Sequence, residues 1–338
     1  MKRFLVFILF LFSAYSLFAQ EQDAKQLYAT AKKLMLQADY DNASLVLNSA
    51  IKQDPNNLEM LQDLSYISYL KRDFAKSIEL SKTLIERPDA EEQTFQLLGM
   101  AYKAIAEYKE CDKIYKQALK KFPKSGVLYN ESGELMALQK NMNGAIVQWE
   151  KGIELDPNYS GNYFNASNYY ALSSNTFYEI IYGEMFLNLE SYSTRSADVK
   201  GLLLEAYTKL FVPGNLTKLA SDNKRSAFER LFFTTMAKSS SLSLEGITAE
   251  NLTAIRTRFI LDWFGSGTDS RYPYRLFSNQ QYLLRQGLFD AYNQWIFGAA
   301  NSPSAYQLWI DAHDKQAAAF KQFQQSRVFK VPAGQYYR

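Results

Sequence analysis

The 338-residue chain carries 38 Lys and Arg against 35 Asp and Glu, has one His and one Cys, and is 47% hydrophobic and 15% aromatic. That hydrophobic content excludes wholesale disorder, and the charge balance, 36 against 35 once Lys2 and Arg3 are set aside, leaves no basic footprint for nucleic acid. A lone Cys111 forms no intrachain disulfide, so stability must come from the core.

The first residues have the three parts of a secretory signal: Lys2-Arg3, an apolar run from Phe4 to Phe12 extended by Ala14 to Phe18, and Ala19 before Gln20-Glu21. The run is shorter than the roughly 20 apolar residues of a spanning helix. Residues 1–19 are therefore expected to be a cleaved signal peptide, leaving no membrane span. The short signal and the absence of disulfides point to a bacterial periplasm or cell envelope.

From Ala24 a repeat organises the chain. Ala43, Ser77, Cys111 and Ala145 are evenly spaced, each inside the same local order: Asp39-Tyr40-x-x-Ala43, Asp73-Phe74-x-x-Ser77, Glu107-Tyr108-x-x-Cys111 and Asn141-Met142-x-x-Ala145. The same frame places small residues at Ala31, Ser65, Gly99 and Gly133, and larger ones at Leu47, Tyr115 and Trp149, with Ser81 a departure. A further small slot holds Ala50, Ala118 and Gly152, with Leu84 out of pattern. Pro55, Pro123 and Pro157 close their units, whereas Pro88 comes one residue early. This register resembles the tetratricopeptide repeat (TPR) over residues 24–157. Its physical basis is that paired helices approach closely only where side chains are small.

The resemblance implies an all-α fold, a TPR α-solenoid of about four to five helix pairs plus a capping helix, followed by a C-terminal helical region. It further implies that first helices line a concave surface. The residues placed there are Gln62, Tyr66, Tyr69, Gln96, Lys103, Asn130, Glu134, Phe164 and Asn168. Their Asn and Gln amides suit peptide backbone, and their aromatics suit apolar side chains. The Lys-then-Asn clamp with which some family members hold a carboxylate is not matched, since Tyr28 and Lys32, or Gln62 and Tyr66, stand there.

Residues 158–211 read as a degenerate fifth repeat, with Glu179 where a small residue is expected, and a capping helix from Val199 to Phe211. Val212-Pro213-Gly214 and Ser239-Ser240-Ser241 bound a connector, 212–247, holding a helix from Ser226 to Met236. Residues 248–338 form an aromatic-rich helical region. Ser278-x-x-Gln281 has capping-box form before an expected helix from Tyr282 to Phe297, ended by Gly298. Ser302-Pro303 opens a last long helix in which Tyr306, Trp309, Ile310, His313, Ala317 and Phe320 share a face. The tail after Arg327 should be extended or irregular.

One histidine offers no partner for a metal site or an activated nucleophile, and Gly265-Ser266-Gly267 lacks the Lys-Ser/Thr ending of a phosphate loop. No catalytic, cofactor-binding or metal residue is assigned, and no cofactor is expected. The sequence therefore reads as a non-enzymatic exported scaffold for a protein or peptide. Its rivals are a carboxylate-dependent envelope enzyme and a glycan-binding module using Trp263, Trp295 or Trp309 as platforms.

Overall fold

The computed structural model describes residues 23–173 and 175–337, so the signal sequence expected at 1–19 lies outside the described residues. All regular structure among them is helical. They fall into two units, one ending at Pro123 and one beginning at Lys124. The first unit holds α1 (23–36), α2 (Tyr40–Gln53), α3 (Leu58–Leu70), α4 (Phe74–Ile85), α5 (Glu92–Ala104) and α6 (Tyr108–Lys121). The second opens with α7 (Gly126–Leu138), α8 (Met142–Leu155), α9 (Ser160–Leu172), α10 (Thr176–Leu189) and α11 (Arg195–Leu210).

The turn inside each of the first four helix pairs is built the same way. Ala38, Arg72, Ala106 and Lys140 all take left-handed backbone, with φ of 58°, 62°, 59° and 62°. This lets the next N–H reach back over the helix end: Asp39 to the Leu34 carbonyl at 3.0 Å, Asp73 to Ser68 at 2.8 Å, Glu107 to Tyr102 at 2.9 Å and Asn141 to Met136 at 2.9 Å. Such a closure satisfies carbonyls that a helix terminus leaves open. The side chains of Asp39, Asp73 and Asn141 then accept from backbone N–H groups of α2, α4 and α8, starting the second helices. Pro88 disfavours helical backbone just before it, and α4 runs 12 residues where α2, α6 and α8 run 14.

Close approach within each pair depends on matched sizes at two facing positions. A β-carbon on Gly133 would fall 2.3 Å from the Trp149 Nε1, and one on Gly99 would fall 2.1 Å from the Tyr115 ring. Ala31 and Leu47 are fully buried in the first pair. In the second pair the departure Ser81 is explained by Ser65, whose hydroxyl lies 2.7 Å from that of Ser81 and donates to the Ser77 carbonyl. In the fifth pair both facing residues are small: Ser167 donates to the Glu179 carbonyl at 3.0 Å, and a β-carbon on Gly183 would fall 2.9 Å from the Ser167 hydroxyl. The slot missing at Glu179 is thus supplied one turn later.

Beyond α11 come α12 (Asn215–Ser221), α13 (Ala227–Ala237), a 3₁₀ turn (Ser240–Ser243), α14 (Ala249–Gly265) and α15 (Thr268–Arg271). The segment expected as a connector contributes Phe228, Phe232 and Phe233 to the main core of the second unit. Ser226 caps α13 in a reciprocal box with Glu229.

Three expectations for the C-terminal region are corrected. Ser278 does not begin a helix, because α16 (Arg275–Arg285) already runs through it and its hydroxyl donates to the Arg275 carbonyl. Gly287, at φ 69°, ends α16, and the chain restarts as α17 (Phe289–Asn293), a π-helical turn (Gln294–Gly298) and α18 (Ala299–Asn301), so Gly298 terminates nothing. The last long helix is two helices, α19 (Pro303–Ala312) and α20 (Asp314–Ser326), broken at His313, whose φ is −127°. Ser302 caps α19 with Pro303 in its first turn as expected, but no α19 side chain is buried.

A buried polar cluster pins these helices to the fifth pair. The Glu184 carboxylate of α10 accepts from Arg256 of α14, from the Gln280 amide at 2.6 Å and from the Tyr292 hydroxyl at 2.8 Å. Arg256 also donates to Asn293, and Tyr292 accepts from Asn188 at 2.7 Å. A charge this deep persists only when paired and hydrogen-bonded, as it is here.

Candidate binding surface

In the first unit the first helices expose a polar and aromatic face. Tyr28 of α1 donates to the Asp63 carboxylate of α3 at 2.8 Å, and the Lys32 ammonium lies 2.8 Å from the same group. Burial, then the Asp63 bond, pushes the Tyr28 phenol far above its ordinary value. The Gln62 amide donates to Thr94 at 2.7 Å, tying α3 to α5, while Tyr66 stands 42% exposed. Tyr69 is half-buried with its ring 5.6 Å from that of Phe74; Gln96 and Lys103 are half-buried on α5.

In the second unit the corresponding residues bond to one another. Asn130 is buried, donates to Glu134 at 2.9 Å and accepts from the Asn165 amide at 2.8 Å. The Asn168 amide donates to the Phe164 carbonyl at 2.8 Å. The Phe164 ring meets Phe186 at 5.2 Å and lies under the Arg195 guanidinium at 4.6 Å. Arg195 is in turn held by Glu190, 2.7 Å away. Burial raises the Glu190 carboxyl, but bonds from Ser160, Ser193 and Arg195 outweigh it and hold the group below the usual carboxylate range. Nearby, burial together with Glu131 and Glu134 pushes the Tyr159 phenol up to about 12.

A stretch of 135 residues, 39% of this chain, is 28% identical to human tetratricopeptide repeat protein 21B and spans 10% of that protein's length. The chain's consecutive helix pairs have the fold of a tetratricopeptide repeat solenoid. No family model matches the chain. Among solved structures, PilF of Pseudomonas aeruginosa gives a TM-score of 0.48 at 13% identity, over 64% of this chain and 98% of its own. A TPR protein of Thermus thermophilus gives 0.45 at 16% identity, over 54% of this chain and 98% of its own.

The TPR frame missed Asp63, Asn165, Glu190 and Arg195. Asp63 and Asn165 follow Gln62 and Phe164 directly, so a wider stripe on each first helix would have included them. Arg195 begins α11, beyond the recognisable repeats, and no sequence signal linked it to Phe164. Among the tryptophans proposed as glycan platforms, Trp263 is fully buried and so corrected; Trp295 lies under the Lys200 ammonium at 4.1 Å, and Trp309 stacks on His313 at 4.8 Å. His313 is exposed. Among the described residues, no three His, Cys, Asp or Glu side chains gather as a metal would require, and no helix is long and apolar enough to cross a membrane.

Proposed function

We propose that this protein is an exported scaffold of the bacterial cell envelope that holds a peptide or protein partner on the first-helix face of its N-terminal unit. The observation that carries this reading is the exposed Tyr66 on the same helix as Gln62 and Asp63, with Lys32 paired to Asp63. An exposed aromatic ring beside amide and carboxylate groups held in place by their neighbours suits a peptide side chain and the backbone around it. Export follows from the three-part signal at residues 1–19.

A photo-reactive amino acid placed at Tyr66 in living cells, with Lys113 as the control site, tests the reading. Lys113 is on a second helix and its side chain is 73% exposed. A discrete adduct at Tyr66 and none at Lys113 is expected, in protein recovered from the envelope without its first 19 residues. Equal labelling at both sites removes the binding face, and unprocessed cytoplasmic protein removes the compartment.

A further inference from the structure

The end of the chain is held as an extended ligand is held. Beyond α20, residues Phe329 and Val331 are buried while Val328, Lys330 and Pro332 are exposed, the alternation of an extended strand. The Asn158 amide makes both backbone bonds to Val331, donating to its carbonyl at 3.1 Å and accepting from its N–H at 2.8 Å. This side-chain amide therefore does what a neighbouring strand would do.

On either side, bonds to the tail also read backbone and ring. The Arg275 guanidinium donates to the Lys330 carbonyl at 3.0 Å and lies 5.0 Å from the Phe329 ring, with Arg327 at 5.4 Å. The Arg275 N–H donates to the Gln335 side chain at 2.6 Å. Tyr337 inserts its ring 4.9 Å from Phe228 and 5.3 Å from Tyr272, and its hydroxyl donates to the Pro273 carbonyl at 2.8 Å. Every one of these groups lies in the second unit. The segment makes no helix that would tie it to the fold by its own hydrogen bonds; it is held by these side chains.

We infer that the groove holding this segment is a peptide-recognition site, separate from the first-helix face, whose resident ligand is the chain's own tail, Val328–Tyr337. Recognition combines backbone pairing by Asn158 and Arg275, two apolar slots for residues two apart, and an aromatic slot for the tyrosine at the end. An intramolecular occupant lowers the apparent affinity for a second one by the fraction of time the site is open.

The probe is a fluorescent peptide of residues Val328–Tyr337, titrated by anisotropy into full-length wild type and full-length Val331→Asp/Tyr337→Ala, whose own tail is weakened. Near-UV circular dichroism establishes that the variant is folded. The tail variant is expected to bind at least about tenfold more tightly than wild type. Adding Asn158→Ala to it should cost about tenfold in affinity, the scale of one lost pair of hydrogen bonds. Equal peptide affinity for wild type and tail variant, or indifference to Asn158→Ala, overturns the recognition site.

Discussion

Tyr115 occupies the space that a side chain on Gly99 would need: a β-carbon added there would stand 2.1 Å from the ring. Gly99→Ala is therefore expected to destabilise by about 1–3 kcal/mol, since the ring is fully buried and has little room to retreat. In the first pair the facing residues are Ala31 and Leu47, so Gly99→Ala combined with Tyr115→Leu should recover part of the loss. Denaturant titration of both singles and the double decides it; strictly additive effects would mean the two positions do not share their space.

The left-handed residue of the turn provides an opposite case. Ala106 has φ 59°, a conformation that costs an L-residue with a β-carbon roughly 1 kcal/mol. Glycine adopts it freely but loses more entropy on folding. Ala106→Gly should accordingly raise stability by about 0.5–1 kcal/mol, and Arg72→Gly likewise. A loss of stability in equilibrium melts would show that the backbone geometry is not the governing factor.

Glu179 supplies a pH dependence. Its carboxylate is fully buried, and neither oxygen has a hydrogen-bond partner. Burial pushes the group up to about 7, with Glu205 of α11 adding to the rise and Lys209 opposing it. The folded state thus holds this proton more tightly than the unfolded state, so the contribution is complete below the ordinary carboxylate range and is lost as pH rises through about 7. Glu179→Met should exceed wild type at pH 8 by roughly 3 kcal/mol and converge toward it at pH 5. A difference that is the same at both pH values would rule the carboxylate out as its source.

Breaking the Glu184–Arg256 pair leaves a charge without compensation in the core. Arg256→Met should cost about 3–5 kcal/mol, because Glu184 keeps only Gln280 and Tyr292. Glu184→Met/Arg256→Met, which removes both charges, should cost less than the single change. Calorimetric melts make the comparison, and a double variant weaker than the single would mean the pair stabilises beyond its desolvation cost.

The repeat was legible because it is local: a compact residue, a large one facing it and an Asp, Glu or Asn at the turn recur at a constant interval, and each acts on neighbours close in sequence. Even the departures obey this, since Ser81 is paired with Ser65 and Gly183 takes over the role that Glu179 cannot fill. Helix ends in the C-terminal region were less legible. Ser278 and His313 carry ordinary local signals, yet α16 runs through Ser278 to end before Gly287, and α19 stops at His313.

The sequence by itself determined the helix pairs, the compact slots and the polar-aromatic composition of the first-helix face, all properties of residues within one repeat. Only the tertiary structure decided that Asn130 would be buried against Glu134 and Asn165, that Arg195 would cover Phe164, and that Val331 would be held by Asn158 from 173 positions away. The physical reason is that no periodic pattern marks which distant side chain will satisfy a backbone or bury a ring; that choice is made when the helices pack.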